Sequence, residues 1–354
     1  MDPDLQALLD RANQALGRLD GVTLLLPDPD LFIFTFVRKE AVLSSQIEGT
    51  QSSLSDLLIF EQDAAANVPG DVEESSNYLA ALNHGLALLE SLPLSLRVIR
   101  DVHARLLQSG RGSDKDPGEF RRTQNWIGGT RPGNARFVPP PPHEVISAMG
   151  ALEKFLHDDP VRTPTLVKAA LAHAQFETIH PFLDGNGRMG RLLITLLLCE
   201  QRVLARPILY LSLYLKENRD EYYDHLQRIR QESDWEGWVR FFLEGVVLVA
   251  EQSTDTTRRI VQLLDEDRRT VQKLGRAAAN VTKVYDLAVR SVVLSPRSAV
   301  RQLRGEMTEP TVYRAIGELE KLDILREITG RERSRIYTYW RYLDILNEGV
   351  SGAS

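Results

Sequence analysis

The sequence predicts a mostly α-helical protein with one small β-hairpin and a C-terminal winged helix-turn-helix module. Three observations carry that expectation. Apolar residues recur at i, i+3, i+4 and i+7 through LQALLDRANQAL, YLAALNHGLALLESL, LRVIRDVHARLL and LVKAALAHAQFETI, whereas alternating strand patterns are scarce. One segment, residues 114–142, DKDPGEFRRTQNWIGGTRPGNARFVPPPP, interrupts the helices with Gly and Pro. Beyond about residue 291 the order becomes helix, turn, helix and two short strands.

Taken in order, residues 1–95 read as an N-terminal helical region. Within it LFIFTFVRKEAVLSSQIEGT, residues 31–50, is an apolar helix ending at Gly49, a residue suited to the position after a helix. Residues 96–250 form the central body. Its Gly/Pro segment offers extended candidates at Asn125 to Gly128 and Ala135 to Val138, which suit a hairpin lying over helices. Helices resume with HEVISAMGALEKFLHD and continue on both sides of residues 180–191. Residues 251–290, beginning EQSTDTTRRIVQLLDEDRRTVQKL, read as a long polar linking helix. Residues 291–354 form the terminal module: RSAVRQLRG, a turn at MTEP, TVYRAIGELEKLDIL, then REITGRERSRIYTYW as two strands around a Gly-Arg-rich tip.

The 354 residues suggest two or three domains, and 43 Lys+Arg against 49 Asp+Glu leave a formal charge of −6. That balance excludes broad capture of nucleic acid or anionic lipid, although a local basic patch stays open. The single cysteine, Cys199, lies in the apolar run LLITLLLCE, where a buried thiol is expected; it excludes an internal disulfide and fits a reducing cytoplasm. The start MDPDLQALLD is acidic where a secretory signal would be basic, and no apolar run approaches the roughly 18 residues of a membrane helix. Neither export nor a membrane anchor is expected.

The chemical centre is HPFLDGNGRMGR, His180 to Arg191, set between two apolar helices. Pro181 cannot continue a helix, so His180 is expected at a helix terminus facing the loop. Gly185 and Gly187 allow close backbone approach, so N–H groups can point inward where the next helix begins and its dipole favours an anion. Arg188 and Arg191, three apart, share a face and set two guanidinium groups beside that anion, as a polyphosphate needs. Asp184 offers a hard oxygen, and Mg²⁺ is commonly held by one carboxylate with substrate phosphates. His180 is then the natural general base.

These residues resemble the signature of the Fic family: HPF, any residue, Asp or Glu, GNGR, two residues, Arg. Every defining position matches. The resemblance implies an α-helical core that binds Mg-ATP and transfers AMP to a hydroxyl side chain of a protein. In that scheme His180 deprotonates the target Ser, Thr or Tyr, and Asp184 holds Mg²⁺. The Gly185–Gly187 backbone with Asn186 cradles the phosphates, Arg188 and Arg191 hold the β- and γ-phosphates, and Phe182 anchors the core. Kinase-like members carry Lys where this chain has Gly187, so the glycine favours nucleotidyl over phosphoryl transfer; phosphocholine transfer is a rarer alternative.

The resemblance also assigns a brake. Ser44, Glu48 and Gly49 match the family's inhibitory motif, Ser or Thr, three residues, Glu, then Gly or Asn, here placed N-terminally in the same chain. Glu48, at i+4 from Ser44, is expected to form a bidentate ion pair with Arg191 and so remove the γ-phosphate's partner. In some members the same Glu helps water remove AMP from the target, so de-AMPylation is an open alternative. The Gly/Pro segment maps to the family's flap, which positions the target, with Asn134, Ala135, Arg136 and Phe137 as candidate contacts. Tyr222 and Tyr223 correspond to a pair lying against adenine and sugar, while Trp235 and Trp238 read as packing. The three-part order is that of a common bacterial Fic architecture, and association of relatives through the core makes a homodimer an alternative.

A DNA-binding regulator is the competing class. Residues 291–354 hold ten basic and nine acidic residues, and the second helix sets Arg314 and Lys321 against Glu318, Glu320 and Asp323. That is a weak footprint for DNA. Arg331, Arg333 and Arg335 at the wing tip are the exception, and the module reads as protein-recruiting or dimerising over DNA-reading.

Overall fold

A computed structural model describes residues 2–24, 29–62, 68–331 and 334–348. The N-terminal region comprises α1 (Pro3–Leu24), α2 (Pro29–Ile47), α3 (Leu54–Gln62) and α4 (Val72–Leu89). The central body follows with α5 (Leu96–Leu106), α6 (Pro142–Leu156), α7 (Thr165–Ile179), α8 (Asn186–Glu200), α9 (Ser212–Glu217) and α10 (Arg219–Glu232). Beyond it run α11 (Trp235–Gln272), α12 (Ala278–Ser291), β1 (Val293–Leu294), α13 (Pro296–Gln302), α14 (Glu309–Lys321), β2 (Arg326–Glu327), β3 (Tyr337–Thr338) and α15 (Trp340–Asn347). The mostly α expectation holds.

Local chemistry sets several of these ends. Ser95 caps α5 by accepting from the Val98 N–H, and Asp234 caps α11 by accepting from the Gly237 N–H at 2.9 Å. At the centre α7 packs against α8. Ala169, Ala170, Ala172 and Ala174 let α7 approach closely, and the run Leu192–Leu198 of α8 is buried all round, as an apolar helix in a core should be. Gly85 of α4 admits Leu196: a Cβ there would lie 2.9 Å from the leucine's Cδ2. α2 lies between α4 and α9, which places its C-terminal end over the start of α8.

Three expectations need correction. The hairpin is smaller than expected: its arms meet at one antiparallel bridge, Ile127 with Phe137, and a 3₁₀ turn at Pro132–Asn134 forms its tip. Prolines 139–142 have no N–H to donate, so a longer ladder cannot form on that arm. Position 250 is not a break. α11 continues to Gln272 because residues 246–272 contain neither Gly nor Pro and keep an apolar stripe through Ile260, Leu263 and Val271, all buried. Cys199 is half-buried at the end of α8, and burial pushes its thiol up to about 12.

In the C-terminal region β1 and β2 both pair antiparallel with β3, Val293 and Arg326 standing opposite Thr338. The region is tied to the body. Asp267 of α11 accepts from the Tyr339 hydroxyl and from Arg341 Nη2 at 2.7 and 2.8 Å, and Lys39 of α2 donates to the Glu348 carbonyl at 3.3 Å. Arg331 and Arg335 are exposed, and Arg333 lies outside the described residues. Among the described residues no helix is long and apolar enough to cross a membrane.

Candidate active site

His180 ends α7 in the left-handed region, φ 49° and ψ 60°, with Pro181 behind it. Its carbonyl accepts from Arg121 Nε at 2.9 Å, and the Arg121 N–H donates to the Pro181 carbonyl at 2.9 Å. The base of the flap is thereby bolted to the signature loop. Phe182 is fully buried and stacks on His103 of α5, with ring centroids 3.6 Å apart. The Gly118 N–H donates to His103 Nδ1 at 2.9 Å, so the His103 proton sits on Nε2, which donates to the Asp184 carbonyl at 3.0 Å. Burial drives the pKa of both His103 and His180 down to about 4. A neutral imidazole at His180, its side chain 18% exposed, is the form a base requires.

Gly185 starts α8 at φ 74°, and a Cβ there would press on Leu107 at 3.3 Å. The first intrahelical bond runs from the Met189 N–H to the Gly185 carbonyl, so the N–H groups of Asn186, Gly187 and Arg188 have no partner within the helix. They are the donors that the GNGR reading would turn towards an anion. The Asn186 side chain acts differently from expectation. Its Oδ1 accepts from the Phe182 N–H and its Nδ2 donates to the Phe182 carbonyl, both at 2.9 Å, so the amide closes the loop beneath the site. Asp184 remains 26% exposed beside this helix end, with Arg111 Nε 4.0 Å from its Oδ2.

Arg188 and Arg191 are both almost fully buried, and each is already held. Arg188 Nη1 lies 2.9 Å from Glu74 of α4. Arg191 donates three hydrogen bonds to the end of α2: Nε to Ser44 Oγ at 2.8 Å, Nη2 to the Ser44 carbonyl at 2.8 Å, and Nη2 to Glu48 Oε1 at 2.9 Å. The bidentate pair expected between Glu48 and Arg191 therefore does not form, because Ser44 takes the Nε edge. Burial works to raise the Glu48 pKa, but the guanidinium overrides it and holds the carboxyl below its usual range. Gly49, at φ 99°, turns the chain away directly afterwards. Arg219 Nε on the Ile47 carbonyl at 3.2 Å and Lys216 Nζ on Gln46 Oε1 at 2.8 Å further secure this helix end.

Tyr222 is buried, hydrogen-bonded through its hydroxyl to His173 Nε2 at 2.9 Å, and tilted against Trp238. Tyr223 is half-buried with the Arg219 guanidinium over its ring. In the flap, Asn134 Oδ1 accepts from the N–H groups of Thr130 and Arg131, and its own backbone crowds Gly129, where a Cβ would lie 2.3 Å from the Asn134 carbonyl. Ala135 follows in extended backbone, Arg136 pairs with Asp224 of α10, and Phe137 lies under Arg230 at 3.9 Å. Sequence reasoning missed His103, Arg121, Glu74 and Glu177. His103 had a signal: in LRVIRDVHARLL it falls on the buried stripe with Ile99, Val102 and Leu106.

Residues 6–87 match the model of the Fic/DOC family N-terminal region, and residues 93–198 match that of the Fic/DOC family itself. The chain is 35% identical over 159 residues to the protein adenylyltransferase Fic of Drosophila grimshawi, taking in 45% of this chain and 30% of that protein. With the Drosophila melanogaster protein of the same name it shares 30% over 195 residues, 54% of this chain and 36% of the other. It thus spans about a third of the length of these curated relatives. Among solved structures, a Fic family protein from Desulfovibrio desulfuricans G20 superposes with a TM-score of 0.63 at 21% identity, covering 96% of both chains. A Fic-1 fragment from C. elegans gives 0.51 at 20% identity over 74% of this chain and 75% of that one. Those two likenesses speak to the fold.

Proposed function

The chain belongs to the Fic/DOC family, and on that premise we propose that it is an autoinhibited protein adenylyltransferase, moving AMP from ATP to a hydroxyl side chain of a target protein. The observation that carries this reading is the convergence at one loop of His180, neutral and part-exposed, with the free N–H groups of Asn186, Gly187 and Arg188. A polyphosphate seated on that helix end would meet Arg188 and Arg191. His180 would take the proton of the target hydroxyl, the oxygen would bond to the α-phosphorus, and the bond to the β-phosphate would break to release pyrophosphate. The donor set fits a magnesium ion: Asp184 is a part-exposed carboxylate beside the proposed phosphate seat, and one carboxylate with substrate phosphates is a common way to hold that ion. Asp184 would hold it, and the ion would neutralise phosphate charge.

In this reading the clamp on Arg191 is the brake, since a guanidinium engaged by Ser44 and Glu48 is withheld from the γ-phosphate. Tyr222 and Tyr223 would border the base and sugar, and the flap from Asn134 to Phe137 would present the target. Labelled ATP tests the whole scheme: Glu48→Gly protein should label itself or a lysate band, and adding His180→Ala should abolish the label. Absence of label from Glu48→Gly protein with Mg-ATP and lysate would reject it.

A second reading concerns the C-terminal region. We read its order of helices and strands as a winged helix-turn-helix. One observation favours a polyanion there: a cleft of about 540 Å³ lined by Arg297, Arg301 and Arg335 together with Tyr313 and Tyr337. A salt-dependent mobility shift of duplex DNA by the full chain would support DNA reading; no shift at low salt would leave protein recruitment in its place.

A further inference from the structure

Beneath the signature loop three buried polar atoms on adjacent side chains lack a well-formed hydrogen bond, His180 Nδ1, Glu177 Oε1 and His173 Nδ1, although the Glu177 and Gly190 main chains also face the two imidazoles. Glu177 stands on α7 between the two histidines, three residues before one and four after the other, so all three share a face. Its Oε2 lies 3.9 Å from His180 Nδ1. α8 is shaped around this carboxyl: a Cβ on Gly190 would lie 2.8 Å from Glu177 Oε1 and 3.2 Å from His173 Nδ1. Glu177 is only 5% exposed, and a buried carboxyl without a partner is costly enough that its presence calls for a role.

The groups facing Glu177 narrow that role. Arg191 approaches from α8 with Nε and Nη2 held by Ser44 and Glu48 and Nη1 open, and Arg230 of α10 donates through Nη2 to the Glu177 backbone carbonyl at 3.1 Å. Glu48 adds a like charge, and the Tyr222 hydroxyl is engaged with His173 Nε2. Arg191 Nη1 and Arg230 Nε are also unsatisfied, but among the described residues the charged or ionisable nitrogen within 4.0 Å of the Glu177 carboxylate is His180 Nδ1.

We propose that Glu177 is a positioning residue for His180, accepting a hydrogen bond from Nδ1–H so that Nε2 presents its lone pair to the target hydroxyl. The inference rests on the adenylyl-transfer reading for its catalytic meaning. A shift of about 1 Å brings the pair to hydrogen-bond distance. When Nε2 takes the hydroxyl proton, the imidazole becomes a cation with both nitrogens protonated, and the carboxylate one turn earlier stabilises that charge. A nucleophile, a base and a group orienting the base is the general arrangement for activating a hydroxyl. Burial holds the Glu177 carboxyl up to about 7, so its negative charge is fully present only above neutrality. The acid limb of the rate profile thus reports the pair.

The test uses the full chain in the Glu48→Gly background. Adding Glu177→Gln should lower kcat for AMP incorporation about tenfold or more, leave KM for ATP within about twofold, and move the acid limb of the pH profile. Glu177→Asp should recover part of the rate. Independently of activity, ¹⁵N NMR of the histidine side chains should show His180 protonated on Nδ1 in the parent and as a mixture of tautomers with Glu177→Gln. An unchanged tautomer and an unchanged His180 titration in the Gln variant would overturn the proposal. If the Glu48→Gly parent transfers no AMP, the transfer reading fails while the NMR comparison still decides the role of Glu177.

Discussion

The Glu48 carboxylate fills the space that any side chain at position 187 would need: a Cβ built on Gly187 would lie 2.1 Å from Glu48 Oε1. The glycine of the signature and the glutamate of the inhibitory motif are thus steric complements. Gly187→Ala should push Glu48 off Arg191 and destabilise the protein by about 1–3 kcal/mol, the range typical of overpacking. In a Glu48→Gly background the same alanine should cost less, since its nearest collision partner is gone and Arg191 Nη1, at 3.1 Å, need give way only slightly. Thermal unfolding of the four proteins in this double-mutant cycle measures the coupling, and simple additivity would refute the complementarity.

Ser44 supplies half of the clamp. Replacing it with Ala removes the Oγ that accepts from Arg191 Nε but keeps the Ser44 carbonyl and Glu48. A hydrogen bond to a charged group contributes about 1.5–3 kcal/mol, so the proposed brake should weaken by about tenfold or more. Label incorporated by Ser44→Ala should therefore fall between that of wild type and that of Glu48→Gly. A Ser44→Ala protein as silent as wild type would show that the carboxylate alone sets the inhibited state.

How legible these features were depended on how local they are. His180 to Arg191 announces itself because Pro181, Gly185 and Gly187 act on their own neighbours. Ser44 and Glu48 acquire meaning only across the 147 and 143 residues that separate them from Arg191, and without the family resemblance they read as a solvated helix face. Glu74 and Arg121 are single polar residues whose partners lie on other elements, and Glu177 is a lone carboxyl on a helix buried nearly all round, so no periodicity marks them. The continuation of α11 past residue 250 was hidden for a different reason: composition turns polar there, but helix continuity is governed by the absence of breakers and by the buried stripe.

Asn186 offers a direct contest between a phosphate contact and a structural clamp. Asn186→Ala would leave the buried Phe182 N–H without an acceptor, at a cost of about 1–3 kcal/mol, while the Phe182 carbonyl keeps Asn125 Nδ2 at 2.9 Å. Asn186→Asp should be no milder, since its second oxygen would face the Phe182 carbonyl where an N–H₂ now donates. Both variants should melt below wild type. Normal melting with lost nucleotide binding would instead assign the side chain to the phosphates.

α2, the helix proposed as the brake, also carries a buried carboxyl that titrates near neutrality. Glu40, one turn before Ser44, accepts from the Tyr78 hydroxyl at 3.2 Å and from the Ser212 N–H at 3.1 Å and its hydroxyl, yet burial outweighs these bonds and raises its pKa from 4.5 to about 7. The folded state therefore holds this proton more tightly than the unfolded state. Between pH 4.5 and about 7 the folded chain binds more protons, so its stability falls as pH rises through that window, by up to roughly 3 kcal/mol above it. Glu40→Gln removes the titration while offering Ser212 and Tyr78 groups of both polarities. Its melting temperature should match wild type most closely near pH 5 and exceed it increasingly towards pH 8. Since Glu177 titrates in both proteins, the difference between their curves isolates Glu40, and parallel curves across that range would place its ionisation elsewhere. The same loss of stability falls on α2, so wild-type AMP incorporation should rise towards alkaline pH more steeply than that of Glu40→Gln.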